Sequence, residues 1–271
     1  MQDFRVKTVD GLSLVARDWN AKDASSNRTL LIIHGLGEHQ GRYAHVAEHF
    51  INDGYKVYSY DQRGHGLSDG KKGHSSGIDS NLDDLEAVIK EIDTGDLFLY
   101  GHSFGGNVLA NFLLRREQKN MKAALLSGAW IRLHKEPSKV DMLLATAMNS
   151  IYPSFSQNNK IDETALSHIL KVGEDYLNDP LVHNKITAGL FKSFYASGVW
   201  AAENSNRLKI PTLVIHGADD TIVGPRGSEE FARNSGGIAE LKIYSETRHE
   251  LHNDNKCDEV LKDVSEFFSR Q

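Results

Sequence analysis

Six short, mostly apolar runs separated by stretches of helical periodicity leave this chain few folds to adopt. "TLLIIHG" (29–35), "KVYSYD" (56–61), "LFLYGHS" (97–103), "AALLSGA" (123–129), "PTLVIHG" (211–217) and "ELKIYS" (240–245) have the length of strands. Most lack polar/apolar alternation, so both faces must be covered, which is the condition of a parallel sheet between two helical layers. The covering helices are predicted over 42–54, ended by Gly54 as a C-cap, and over 80–92, 105–117 and 258–270. "FRVKTV" (4–9) and "LSLVARDW" (12–19), joined by Asp10-Gly11, read as an opening β-hairpin. The fold class is therefore α/β, a mostly parallel, doubly wound sheet.

One block breaks the alternation. From Ile131 to Arg207 only helix signals occur. Val140, Leu143, Leu144, Ala147, Met148 and Ile151 fall at helical spacing, and Leu166, Ile169, Leu170 and Leu177 repeat it after Asp162 as an N-cap. Placed between two consecutive parallel strands, the block reads as an inserted helical cap over the carboxyl edge of the sheet. The expected organisation is a core of residues 1–130 and 208–271 with a cap of 131–207. The apolar stripes also suit a transient contact of this cap with a membrane surface.

Composition narrows the partners. Thirty-one basic against 37 acidic residues give a net charge of −6 with no basic tail or stripe, so nucleic acid is not an expected partner. The single cysteine, Cys257, excludes an intrachain disulfide framework and cysteine-rich metal sites. The first residues have no apolar signal-peptide core, and no run reaches 18 apolar residues, which makes a cytoplasmic protein the default. Oligomeric state leaves no mark in the sequence.

The chemistry is concentrated in "GHSFG" (101–105), a G-x-S-x-G string lying between an apolar strand and an amphipathic helix. A turn that projects a serine from that junction needs glycines around it because the backbone bends sharply and neighbours crowd it. A serine hydroxyl becomes a nucleophile only when a base takes its proton and a carboxylate fixes that base. On this architecture the order is serine, acid, histidine. Asp220, three residues past Gly217, is the expected acid in "GADDT", with Asp219 the lesser candidate; His249, on the loop after the last strand, is the expected base. Two backbone amides must face the developing oxyanion, and Phe104, after the serine, and Leu36, after "LLIIHG", are the candidates.

Taken in order, "HGLGEHQGRY" (34–43), "DQRGHGLSDG" (61–70), "GHSFGG" (101–106), "YLNDPLVHNKITAGLF" (176–191) and "HELHND" (249–254) resemble the monoacylglycerol lipase and lysophospholipase family of serine α/β hydrolases over nearly the whole chain. The resemblance implies an α/β-hydrolase fold and hydrolysis of single-acyl-chain lipid esters under an amphipathic cap, with no cofactor. It implies a Ser103, Asp220 and His249 triad and an oxyanion hole at Leu36 and Phe104. It also implies that Glu38, Arg42 and His252 line the polar pocket for the leaving alcohol. Cysteines found near the site in mammalian members have no counterpart here.

Rival readings are weaker. "HVAEH" (45–49) fits a zinc string and would put His45 and His49 on one helix face, but a third ligand is needed and a solvated polar face is the simpler reading. "HGLGEHQG" and "GHGLSDGKK" each miss a nucleotide-binding spacing by their glycines. No metal is expected. Lysophospholipase, small-ester carboxylesterase, thioesterase and peptidase activities remain open within the fold, and a non-catalytic scaffold would require a broken triad. Activity is expected to fall below pH about 6.5, where an ordinary histidine is protonated.

Overall fold

The computed structural model describes residues 1–20 and 26–271, apart from the side chains at positions 141, 144, 145 and 149; Leu144 of the expected stripe therefore lies outside the described residues. Strands β1 (Gln2–Lys7), β2 (Ser13–Asp18), β3 (Arg28–Ile33), β4 (Lys56–Tyr60), β5 (Asp96–His102) and β6 (Met121–Ser127) precede the inserted block. Within it lie the three-residue strands β7 (Ser156–Asn158) and β8 (Lys185–Thr187), and β9 (Thr212–Gly217) and β10 (Ala239–Tyr244) follow it. The helices are α1 (Ala44–Asn52), α2 (Ile78–Glu91), α3 (Ser103–Arg115), α4 (Lys139–Ile151), α5 (Leu170–Asn178), α6 (Ala188–Glu203), α7 (Arg226–Asn234) and α8 (Cys257–Ser269).

The main sheet has the order β1-β2-β4-β3-β5-β6-β9-β10; β1 and β2 run antiparallel to their neighbours and the rest are parallel. Strand pleating sends alternate side chains to opposite faces. Leu31, Ile33, Leu97 and Leu99 join the core under α2 and α3, while Leu30, Ile32, Phe98 and Tyr100 join the one under α1 and α8. Each central strand is thus apolar throughout because each face has its own core. The chain order reverses between β3 and β5, the topological switch point at whose carboxyl end doubly wound sheets hold ligands.

The inserted block departs from an all-helical reading. It contains the antiparallel ribbon of β7 and β8, with Ser156 paired to Thr187. Apart from Ile186 its residues are polar, and its strands are three long, too short for alternation to register in the sequence. Asp162 caps a single 3₁₀ turn at Glu163–Ala165, accepting from Thr164 N, and the α-helix starts only at Leu170. Leu166 is buried while Ile169, Leu170 and Leu177 are exposed, so the expected single stripe is split in two. On α4, Val140, Leu143 and Ile151 are 65%, 69% and 81% exposed, so this stripe faces outward. Helix α6 returns the block to the core: Asn107 Nδ2 on α3 donates to Phe194 O, and a Cβ at Gly198 would meet Ile131 O at 2.5 Å. Among the described residues no helix is long and apolar enough to cross a membrane.

Candidate active site

Ser103 opens α3 directly from β5 with φ of 51°, a left-handed conformation that costs a residue with a Cβ about 1–3 kcal/mol. The surroundings enforce it. A Cβ at Gly101 would stand 2.7 Å from Gly105 O, and one at Gly105 would stand 2.3 Å from Ile33 O and 2.5 Å from His34 O. Both glycines are present because α3 leaves the sheet at van der Waals distance from β3 and from its own turn, which lifts the serine above the carboxyl edge.

Three residues from three strand ends meet there. Ser103 Oγ lies 2.9 Å from His249 Nε2, and His249 Nδ1 lies 2.7 Å from Asp220 Oδ2. Asp220 follows β9 and His249 follows β10, so the parallel register of those strands sets their separation. Such a line can draw a proton from a hydroxyl to an imidazole whose charge the carboxylate stabilises. Burial alone would raise the Asp220 pKa, but the His249 charge and the hydrogen bonds from His216 and His249 hold it well below the usual carboxylate range. Burial alone would lower His249, yet Asp220, with Glu250 and Glu38 behind it, raises it above the ordinary histidine value. Asp219 is half exposed and its oxygen lies 3.4 Å from His168 Nε2, away from His249. Phe104 N stands in the first turn of α3, where amides have no intrahelical acceptor. Leu36, after β3, shares with Ser103 the walls of two cavities.

The larger cavity holds about 380 Å³ and runs from Ser103 between an apolar wall of Leu36, Trp130, Leu133, Ile186, Phe191 and Val223 and the stretch 157–162 of the inserted block, polar except for Ile161. The smaller, about 20 Å³, shares Leu36, Ser103 and Ile161 with the larger, is also bounded by Glu38, His102, Leu166, Tyr176, His249 and Glu250, and is the size of one water molecule. Arg42 stands behind that wall, donating to Glu250 Oε1 and Oε2 at 2.6 and 2.8 Å and to Glu38 Oε2 at 2.7 Å, with its guanidinium under the Tyr176 ring. Glu38 Oε1 also accepts from Gly35 N at 2.5 Å and Tyr43 OH at 2.7 Å. Burial would push Glu250 upward, but Arg42 overcomes it and holds the carboxyl well below its ordinary value.

His252 departs from expectation. It is fully buried, stacked on Tyr43 with ring centroids 4.7 Å apart and set edge-on to His102 at 4.9 Å, and lies outside the walls of both cavities. The 3₁₀ turn Leu251–Asn253 rolls Leu251 and His252 into the core, so His252 supports the loop one layer behind the site. His102 instead lines the small cavity beside Ser103; burial and the neighbouring His249 push it down to about 3, which keeps its ring neutral. Tyr176 and Glu250 also reach the small chamber, although no sequence signal singles them out, since the first comes from the cap and the second makes its ion pair with a residue 208 positions away. His45 Nε2 meets His252 O at 2.7 Å and His49 Nε2 meets Ser265 Oγ at 2.9 Å, so the two histidines of the zinc-like string pin α1 to two different segments.

The profile of the serine aminopeptidase S33 family matches residues 24–256. The chain is 30% identical over 95% of its length to the monoacylglycerol lipase of Mycolicibacterium smegmatis, covering 93% of that protein. It is 32% identical over 97% of its length to an uncharacterized abhydrolase domain-containing protein of Dictyostelium discoideum, of whose length it spans 28%. The crystal structure of the Paleococcus ferrophilus monoacylglycerol lipase superposes with a TM-score of 0.83 at 27% identity, covering 100% of both chains. The chain belongs to the serine aminopeptidase S33 family of α/β hydrolases, as a serine ester hydrolase similar to monoacylglycerol lipases.

Proposed function

We infer that this protein hydrolyses esters of a single fatty acyl chain with a small neutral alcohol, of the monoacylglycerol type, through an acyl-enzyme on Ser103. The observation that carries this reading is that Ser103 borders two cavities, one of about 380 Å³ with an apolar wall and one of about 20 Å³ that Glu38, His102, His249 and Glu250 reach. The acyl chain takes the first and the alcohol the second. Ser103 Oγ attacks the ester carbonyl as His249 Nε2 accepts its proton, and Asp220 steadies the imidazolium. The oxyanion rests on the amides of Leu36 and Phe104. His249 then protonates the leaving alkoxide, and a water in the chamber, activated by the same histidine, releases the fatty acid. No step calls for a metal or organic cofactor.

Glu38 and Glu250 against one Arg42 leave one net negative charge at the chamber (two carboxylates, one guanidinium), which disfavours the phosphate of a lysophospholipid. An aminopeptidase needs a carboxylate free to meet an ammonium, and both of these are held by Arg42. A chamber the size of one water also requires the cap to move before glycerol can enter. The outward apolar residues Val140, Leu143, Ile151, Tyr152 and Phe155 suit contact with a lipid surface during that movement. The test is a substrate panel of monoacylglycerols, lysophospholipids, p-nitrophenyl esters and peptide amides. Turnover greatest on monoacylglycerols, and lost in Ser103→Ala by about 10⁴–10⁶-fold, supports the reading; preference for lysophospholipid or peptide overturns it. Flotation with neutral lipid vesicles, reduced in Leu143→Asp, tests the surface contact.

A further inference from the structure

The Asp220 carboxylate carries more donors than the reaction needs. His216, next to last in β9, is fully buried, and its Nε2 lies 3.0 Å from Asp220 Oδ2, the same oxygen that His249 Nδ1 reaches at 2.7 Å. Its other nitrogen, Nδ1, lies 2.7 Å from Ser228 Oγ on α7. A carboxylate only accepts, so His216 presents Nε2–H to it, and in the neutral ring Nδ1 is then an acceptor for the Ser228 hydroxyl. Ser228 thereby fixes the tautomer from the far side of the ring. Asp220 Oδ1 is occupied as well, by Ile222 N at 2.8 Å and Val223 N at 3.1 Å. Each oxygen therefore has two donors, and rotation of the carboxylate about its Cβ–Cγ bond would break all four bonds.

We propose that His216 is a positioning residue for ester hydrolysis: held by Ser228, it shares Oδ2 with His249, locks the Asp220 carboxylate in the plane His249 needs and limits how strongly that oxygen holds the histidine proton. This rests on the reading of Ser103, His249 and Asp220 as the reacting line. His216 lies outside the walls of both cavities, so it acts through Asp220 and never meets substrate. The groups that bear on His249 are Asp220, Glu250 and Glu38, with the rings of His102 and His252 on its other side. The groups that meet the ring nitrogens of His216 are Asp220 and Ser228.

Losing the donor from His216 leaves Oδ2 to His249 alone. The imidazolium is then stabilised and proton release to substrate slows, so the acid limb of the kcat/KM profile moves to higher pH. A role confined to tying α7 to β9 would lower the folded fraction and leave that limb where it is. The experiment compares wild type, His216→Phe and His216→Gln, with each rate divided by the active sites titrated with a fluorophosphonate. His216→Phe is expected to lose about 10–100-fold in kcat per titrated site, with KM within about twofold and the limb raised by about half to one pH unit. His216→Gln, which keeps an N–H donor, is expected to recover most of the shift. A limb that stays in place, or a glutamine variant no better than phenylalanine at equal titrated fraction, overturns the proposal. Should His216→Phe fail to fold, Ser228→Ala, which frees the tautomer while keeping the ring, must move the limb the same way, and no movement overturns it. Failure of the fluorophosphonate to label Ser103 in the wild type would instead overturn the underlying reading.

Discussion

His249 is where the local chemistry makes the sharpest numerical demand. An isolated histidine would lose its proton near pH 6.5, but Asp220 raises this one, so it becomes a competent base only at higher pH. The acid limb of kcat/KM is therefore expected above pH 6.5, later than the bare sequence implies, and a pH–rate series on the free enzyme checks it. Asp220→Asn should cost about 10⁴-fold in kcat by presenting the wrong partner to Nδ1. Asp219→Asn, on a half-exposed side chain away from His249, should stay within about twofold. Steady-state kinetics on both variants tests the choice between these adjacent acids. That choice was legible because the distance from the strand end at Gly217 sets which aspartate can turn inward. The donors to Asp220 were not: His216 reads as one more residue of a buried strand, and its partner Ser228 lies on a helix the sequence does not announce. Nor does spacing tell that His252 rolls into the core while Glu250 faces the small cavity.

Elements repeat that division between strong and weak signals. The parallel strands were readable because burial on both faces makes them apolar throughout. Helix α7 was not, since its buried face is made by Gly227 and Ser228 beside Phe231 and Ala232, which leaves no apolar period. The ribbon of β7 and β8 was hidden because its strands are only three residues long and hold one apolar residue, Ile186, between them. Two element-scale contacts carry predictions. Arg42, from the turn before α1, ties Glu38 near β3 to Glu250 near β10; Arg42→Leu would strand two buried carboxylates and should cost about 3–5 kcal/mol in denaturant unfolding. The Glu250 carboxyl is held below its ordinary value, so its stabilisation is complete above pH 4.5 and is lost as pH falls towards its folded pKa. Segment 164–168 of the insertion is also fastened to the loop that carries His249. Arg248 Nη1 donates to Thr164 O, Glu250 N to Leu166 O, and Ser167 Oγ to Asn253 O, while His168 Nδ1 meets Asp254 Oδ2. Arg248→Ala together with His168→Ala should speed amide exchange at Glu250 and across 164–168 while leaving the sheet unchanged; exchange measured by mass spectrometry decides it.

For the molecule as a whole, the sheet's switch point between β3 and β5 places Leu36 and Ser103 side by side, and the two strands added after the insertion, β9 and β10, deliver Asp220 and His249 to the same edge. The insertion between β6 and β9 supplies what the sheet cannot, a wall across the larger cavity and the Tyr176 side of the smaller one. The proposed reading is that one amphiphile with an apolar chain and a small neutral head occupies both spaces. The most direct test of that account is intact-protein mass spectrometry of enzyme acid-quenched during turnover of a monoacylglycerol. The account predicts a transient gain of one acyl group, mapped to Ser103 and missing from Ser103→Ala. Undiminished turnover in Ser103→Ala, or an acyl group mapped to another residue, would contradict it.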